Sequence, residues 1–144
     1  MPPDECPEVV SQLLKNRPWP EGAGFFDEFR ALSESRAYEK SSLEGGVEMS
    51  NPVCGDRVRV KILLEHGKVI DFGYQQKGCW PVAGCLELMG RLCRDARSED
   101  IMAFALEDFL GVVRGVPNSK RHAFSLVHRA TLAAVAQATV LANS

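Results

Sequence analysis

Arg57-Val58-Arg59-Val60-Lys61-Ile62-Leu63-Leu64, followed by His66-Gly67 and then Val69-Ile70-Asp71-Phe72-Gly73-Tyr74, is the stretch that decides the fold. Val58, Val60, Ile62 and Leu64 recur at every second residue, alternating with Arg57, Arg59, Lys61 and, less cleanly, Leu63. That is the pattern of a strand with one face on a core and the other in water. His66-Gly67 reads as a turn, and Val69, Ile70, Phe72 and Tyr74 give a second strand. So short a link makes an antiparallel hairpin the natural pairing. Val47 to Met49 reads as an added edge strand.

Beyond the hairpin the period lengthens. Pro81 stands where a first helical turn tolerates proline, and Val82, Leu86, Met89, Leu92 and Cys93 repeat at helical spacing toward Arg97. Ser98-Glu99-Asp100 has the form of an N-cap with acidic first-turn residues. It opens a helix through Ile101, Phe104 and Ala105 that runs on or restarts before Phe109 and Leu110. After Gly115-Val116-Pro117-Asn118, a long final helix is expected from Lys120 to Ala142. Upstream, Val9-Val10 and Leu13-Leu14 suggest a short helix ended by Pro18 and Pro20, and Phe25, Phe26, Phe29 and Leu32 a second one. Ser33 to Gly46 is polar and reads as loop. The expected class is α+β, a small antiparallel sheet of about three strands with helices packed on one face.

The 144 residues suit one domain, 1–144, with a single core. Hydrophobic residues at 45% and charged residues at 25% exclude a disordered or fibrous chain. A formal net charge of -2, with both signs spread along the sequence, gives no electrostatic case for nucleic-acid binding. The longest mostly apolar stretch, Ala130 to Ala142, is shorter than a membrane span. Met1-Pro2-Pro3-Asp4-Glu5 lacks the basic and apolar regions of a secretory signal, so a cytoplasmic protein is expected. Five cysteines, Cys6, Cys54, Cys79, Cys85 and Cys93, are an odd number in a chain that needs no staples. Free thiols or metal ligands in a reducing compartment fit this better than a disulfide framework.

Four of the reactive side chains sit at element boundaries. Cys54 lies in Asn51-Pro52-Val53-Cys54-Gly55-Asp56, a tight turn that exposes its thiol, and Asp56 opens the following strand. If the chain leaves the turn extended, Cys54 and Asp56 point to one side. Cys79, after Gly78, precedes a helix N-terminus, where backbone N–H groups would favour a thiolate. His122 opens the last helix, and with it the set becomes two thiols, a carboxylate and an imidazole, a donor combination that zinc accepts. Spacing alone leaves the alternative open. Cys54 and Cys79 are 25 residues apart without a Cys-x-x-Cys pair, and buried cysteines are common in cores. Cys85 and Cys93 read as core.

The strings around these residues resemble the IscU/NifU-type iron-sulfur cluster assembly scaffold family, including its SufU branch. Asn51-Pro52-Val53-Cys54-Gly55-Asp56 before a strand matches that family's Asn-Pro-x-Cys-Gly-Asp, and Gly78-Cys79 before a helix matches its Gly-Cys. Val116-Pro117-Asn118-Ser119-Lys120-Arg121-His122-Ala123 is similar to its Leu-Pro-Pro-Val-Lys-x-His-Cys. The resemblance covers roughly residues 46–140 and is loose over the N-terminal third. It implies an IscU/SufE-like fold and assigns Cys54, Asp56, Cys79 and His122 as ligands of zinc, iron or a labile iron-sulfur cluster. It also implies a cysteine desulfurase as partner and the work of a carrier rather than an enzyme. Ala123 falls where the family has its third cysteine, Trp80-Pro81 replaces small residues, and Asn118-Ser119 breaks the segment that resembles a chaperone-recognition site. Two rival roles follow from these departures: a SufU-like sulfur-transfer partner, or a regulatory relative that has lost cluster chemistry.

Overall fold

The computed structural model describes residues 24–142. The early helix read at Val9 to Leu14, and Cys6, lie outside the described residues. A three-stranded antiparallel sheet in the order β2-β3-β4 forms the centre: β2 Val47–Ser50, β3 Arg57–Glu65 and β4 Lys68–Lys77. Val58, Val60 and Ile62 are buried, facing Gln76, Tyr74 and Phe72 across the ladder, while Leu63 is 42% exposed and sits where the register shifts toward the turn. His66 and Gly67 both take positive φ, 53° and 77°, as a two-residue turn matched to the twist of the strands requires.

The helices cover one face of this sheet, as expected. Helix α2, Trp80–Cys93, packs over β4, and the long α5, Arg121–Ala142, crosses β3 and β2 and meets α2. Helix α1, Phe26–Leu32, lies on α2, and two short helices, α3 Ser98–Met102 and α4 Leu106–Val112, lie on α5. The helical reading after Ser98 therefore restarts rather than runs on. The Asp108 carboxylate accepts the Ala105 N–H at 2.8 Å and fixes that second start. Arg97, not Ser98, is the cap of α3. Helix α2 stops at Cys93, short of Arg97, because Asp95 takes a positive φ of 58°. Asn118–Ala142 is long and apolar enough by composition to cross a membrane, but half of its most apolar window is buried inside this protein, as in a core helix.

Two features had no counterpart in the sequence pattern. Gly24–Phe25 forms a strand, β1, paired in parallel with β5, Val113–Arg114, so Phe25 is strand where helix was expected. The second is Glu87, fully buried in α2. Its carboxylate accepts from Ser35 Oγ at 3.0 Å, from the Ala37 and Tyr38 N–H groups at 2.9 Å each, and from Tyr74 Oη at 2.9 Å. A buried carboxylate is tolerable only with such partners. They fasten the polar Ser33–Lys40 loop to the helix, and that loop then covers the open edge of β4: Lys40 N–H donates to the Tyr74 carbonyl at 2.8 Å, and Tyr74 N–H to Tyr38 at 3.1 Å. Burial, and after it the Glu87 charge, push the Tyr74 hydroxyl well above its ordinary pKa.

Candidate functional site

The site lies at the end of the sheet where β3 begins and β4 ends. Register pairs Arg57 with Lys77, which sets Asp56 beside Gly78. Gly78 has no Cβ for a physical reason: a methyl there would stand 2.9 Å from Asp56 Oδ1 and 3.2 Å from its Cγ. The carboxylate occupies that space. Its Oδ1 accepts the Cys79 N–H at 3.2 Å, which turns Oδ2 outward, and Asp56 is buried. The Cys54 turn closes on the same residue. Asn51 N–H donates to the Asp56 carbonyl at 2.8 Å, Gly55 N–H to the Asn51 carbonyl at 2.8 Å, and Val53 N–H to Asn51 Oδ1 at 2.9 Å. Gly55 takes φ 75°, a conformation that side chains avoid.

The third segment is the start of α5. A 3-10 turn, Asn118–Lys120, leads into it, and His122 Nδ1 lies 2.9 Å from the Ser119 carbonyl. A carbonyl can only accept, so Nδ1 carries a hydrogen and Nε2 is the nitrogen turned to the site, where in the neutral ring it offers a lone pair. This is how a metal-binding imidazole is commonly oriented.

Around Asp56 Oδ2 the donors converge. Cys54 Sγ lies 3.3 Å away, His122 Nε2 3.4 Å and Cys79 Sγ 3.7 Å, with Cys79 Sγ 3.9 Å from His122 Nε2. The ligand atoms of Cys54, Asp56 and His122 all lie within 4.8 Å of one another. A tetrahedral ion with bonds of about 2.0–2.3 Å separates its ligands by roughly 3.3–3.8 Å, the edge being about 1.63 times the bond. The distances to Asp56 Oδ2 are close to such edges, but Cys79 stands outside the group whose ligand atoms all lie within 4.8 Å of one another, so one of the two sulfurs must move inward to complete a tetrahedron. Without a metal, Asp56 Oδ2 accepts from both thiols; a cation would take the place of those protons and find carboxylate, imidazole and sulfur as its donors.

All four side chains expected from the sequence are brought together. Cys54 is exposed and Cys79 partly buried. One expectation is corrected. The helix N-terminus does not activate Cys79: burial, then the Asp56 charge, push its thiol above the ordinary value, and the Val82 N–H acting the other way does not outweigh them. The thiol keeps its proton until a cation displaces it. Cys85 and Cys93 are fully buried in the core, and burial pushes the Cys85 thiol well up. Ala123, next to His122, is fully buried. Trp80 packs into an aromatic group, its ring centroid 5.3 Å from Phe26 and 6.3 Å from Phe29, with Arg30 over it at 5.3 Å. Sequence reasoning missed the Ser119 carbonyl and the space that Gly78 leaves; the glycine directly before Cys79 was the visible signal of the second.

By sequence, none of the curated proteins matches this chain. By structure it is similar to a nitrogen-fixing NifU-like protein (N-terminal) from Brucella abortus, at 14% identity and a TM-score of 0.66, covering 92% of this chain and 98% of that one. It is also similar to a protein from thermophilic Fervidobacterium islandicum AW-1 described as an iron-sulfur cluster assembly scaffold for the SUF system. There identity is 17% and the TM-score 0.58, covering 75% of this chain and 94% of that one. These likenesses establish the fold. The family model for the NifU-like N terminal domain matches residues 11–140, and the chain therefore belongs to the NifU-like N-terminal domain family.

Proposed function

We propose that this protein is an iron-sulfur cluster assembly scaffold-like carrier that holds iron, zinc or a labile cluster as its cargo through Cys54, Asp56, Cys79 and His122. The observation that carries this reading is that Cys54 Sγ, His122 Nε2 and Cys79 Sγ lie 3.3, 3.4 and 3.7 Å from Asp56 Oδ2. Family membership supports the scaffold role. Carboxylate and imidazole are more exchangeable ligands for a soft site than thiolate, which suits a cargo that must leave. The protein works in the cytoplasm as a carrier without turnover, beside a cysteine desulfurase that supplies sulfur. Asn118-Ser119 interrupts the segment a chaperone would read, which counts against such a partner.

The exposure of Cys54 favours one companion reading, SufU-like acceptance of sulfur. The Cys54 thiolate attacks the outer sulfur of a donor persulfide; a new S–S bond forms at Cys54, the donor's S–S bond breaks, and the donor leaves as a thiolate. The exposed Cys54 thiol gives up its proton to solvent before the attack.

Elemental analysis of untagged protein purified without oxygen, with visible spectra before and after reconstitution, tests the carrier reading. Near-stoichiometric metal or a cluster absorption is expected. Protein that neither holds metal nor takes up cluster is instead the regulatory relative. A persulfide mass shift on Cys54 after incubation with desulfurase and cysteine tests sulfur acceptance, and its absence removes that reading.

A further inference from the structure

The alternation that buries Val58, Val60 and Ile62 gathers Arg57, Arg59 and Lys61 on the outer side of β3. Register sets Lys77 of β4 directly opposite Arg57. Like charges at facing positions weaken a ladder, so this pair works against the fold that carries it. Lys40 joins the same face, its side chain lying over the bare Cα of Gly73, the partner of Lys61. Among the described residues neither Lys40 nor Lys77 is in an ion pair. Lys61 Nζ donates to the Glu44 carbonyl at 2.7 Å, which satisfies a hydrogen without neutralising the charge.

These side chains border a groove of about 410 Å³. Its lining holds four cations, Lys40, Arg57, Arg59 and Lys77, against the carboxylates Glu39 and Glu48. Glu48 is shared by Arg57 at 3.5 Å and Arg59 at 2.8 Å, and Glu39 is engaged by Arg36 at 3.5 Å. The groove is positive on a chain whose formal net charge is -2.

We propose that this face docks an acidic segment of a partner protein. Charge complementarity selects the occupant. Glu48, bridging the two arginines, opposes an unbroken phosphate backbone, whereas a peptide can interleave carboxylates with neutral residues and offer Glu48 an amide N–H. Arg57 directly follows Asp56, and Lys77 stands two residues before Cys79. A docked segment therefore lies at the rim of the metal centre, although the inference does not depend on what that centre holds.

The test uses the full chain free of metal. Amide spectra of labelled protein are followed on adding a short synthetic peptide alternating glutamate and alanine, a lysine-alanine peptide of equal length, or a single-stranded oligouridine. Shifts confined to Lys40, Arg57 to Lys61 and Gln75 to Lys77 are expected with the acidic peptide alone, and salt should weaken them. Arg57→Glu and Lys77→Glu should each loosen binding about tenfold, while Lys68→Glu, at the far end of the sheet, should not. Lys77→Glu should also raise the urea midpoint, since it then faces Arg57 with opposite charge, so its loss of binding cannot be ascribed to unfolding. Scattered shifts, or binding indifferent to both reversals, overturns the proposal. Tighter binding of oligouridine overturns the class of partner.

Discussion

Replacing Gly78 by alanine removes nothing from the ligand set, yet the geometry requires it to weaken metal binding. The added methyl would stand 2.9 Å from Asp56 Oδ1 and 3.3 Å from its Cβ, so the carboxylate must give by about half an ångström to reach an ordinary contact. The bond it accepts from the Cys79 N–H, now 3.2 Å, is lost with that movement. A hydrogen bond to a charged group contributes about 1.5–3 kcal/mol. Losing a hydrogen bond that orients a metal ligand lowers metal affinity about 10- to 100-fold, or about 1.4–2.7 kcal/mol, and the two ranges agree. Stability of the metal-free fold should fall by about 0.5–2.5 kcal/mol, the lost bond less the roughly 0.4–1 kcal/mol gained from a stiffer unfolded chain. Gly78 is not among the glycines with positive φ, so alanine can adopt its backbone and the unfolded chain loses entropy in compensation. Zinc affinity measured by chelator competition, beside urea unfolding of the metal-free protein, separates the two effects. In an Asp56→Ala background the same methyl should cost nothing further. A folded Gly78→Ala protein that binds zinc within twofold of the parent would refute the reasoning.

Other expectations are independent of that one. Cys54→Ala and Cys79→Ala should each lower bound metal strongly and Cys85→Ala should not, because Cys85 lies in the core; equal retention in all three would contradict the ligand assignment. Ala123→Cys should lengthen cluster retention in reconstituted protein, while costing about 1–3 kcal/mol in urea unfolding if the fully buried position cannot yield space. Glu87→Ala should destabilise by about 1–3 kcal/mol, since it leaves the buried Tyr74 hydroxyl without its acceptor while Ser35, Ala37 and Tyr38 can turn to water; calorimetry reads this directly. The thiols of Cys79 and Cys85 and the Tyr74 hydroxyl all have raised values in the folded protein, so the fold holds their protons longer than the unfolded chain does. Stability of the metal-free protein should therefore be intact below the ordinary thiol value of 9.0 and fall as pH rises past it, with a shallower decline in Cys85→Ala.

The hairpin was legible because β3 and β4 each carry their own period, and the turn between them admits only two residues. The candidate ligands were legible as local strings: each sits at a boundary that its neighbours announce, Gly55 after Cys54, Gly78 and Pro81 around Cys79, Pro117 before His122. What joins distant segments was not. Glu87 in an otherwise apolar helix looks like an error of amphipathicity until Ser35, Ala37 and Tyr38, some fifty residues earlier, supply its donors. The parallel pairing of Gly24–Phe25 with Val113–Arg114 involves two residues on each side, too few to leave a periodic trace. The thiol of Cys79 misled for a related reason. Its helix position is local, but the carboxylate that opposes ionisation comes from another strand.

On the proposed carrier reading, the pairing of Arg57 with Lys77 bears on how a cargo would arrive and depart. Because the ladder sets Asp56 and Cys79 at neighbouring strand ends, half of the chelate is built during folding, and its ordering entropy is spent before any ion appears. Cys54 and His122, already 3.3 Å and 3.4 Å from Asp56 Oδ2, come from a turn and a helix end outside that ladder. Handing a cargo on would need only those two to swing away, with the sheet intact.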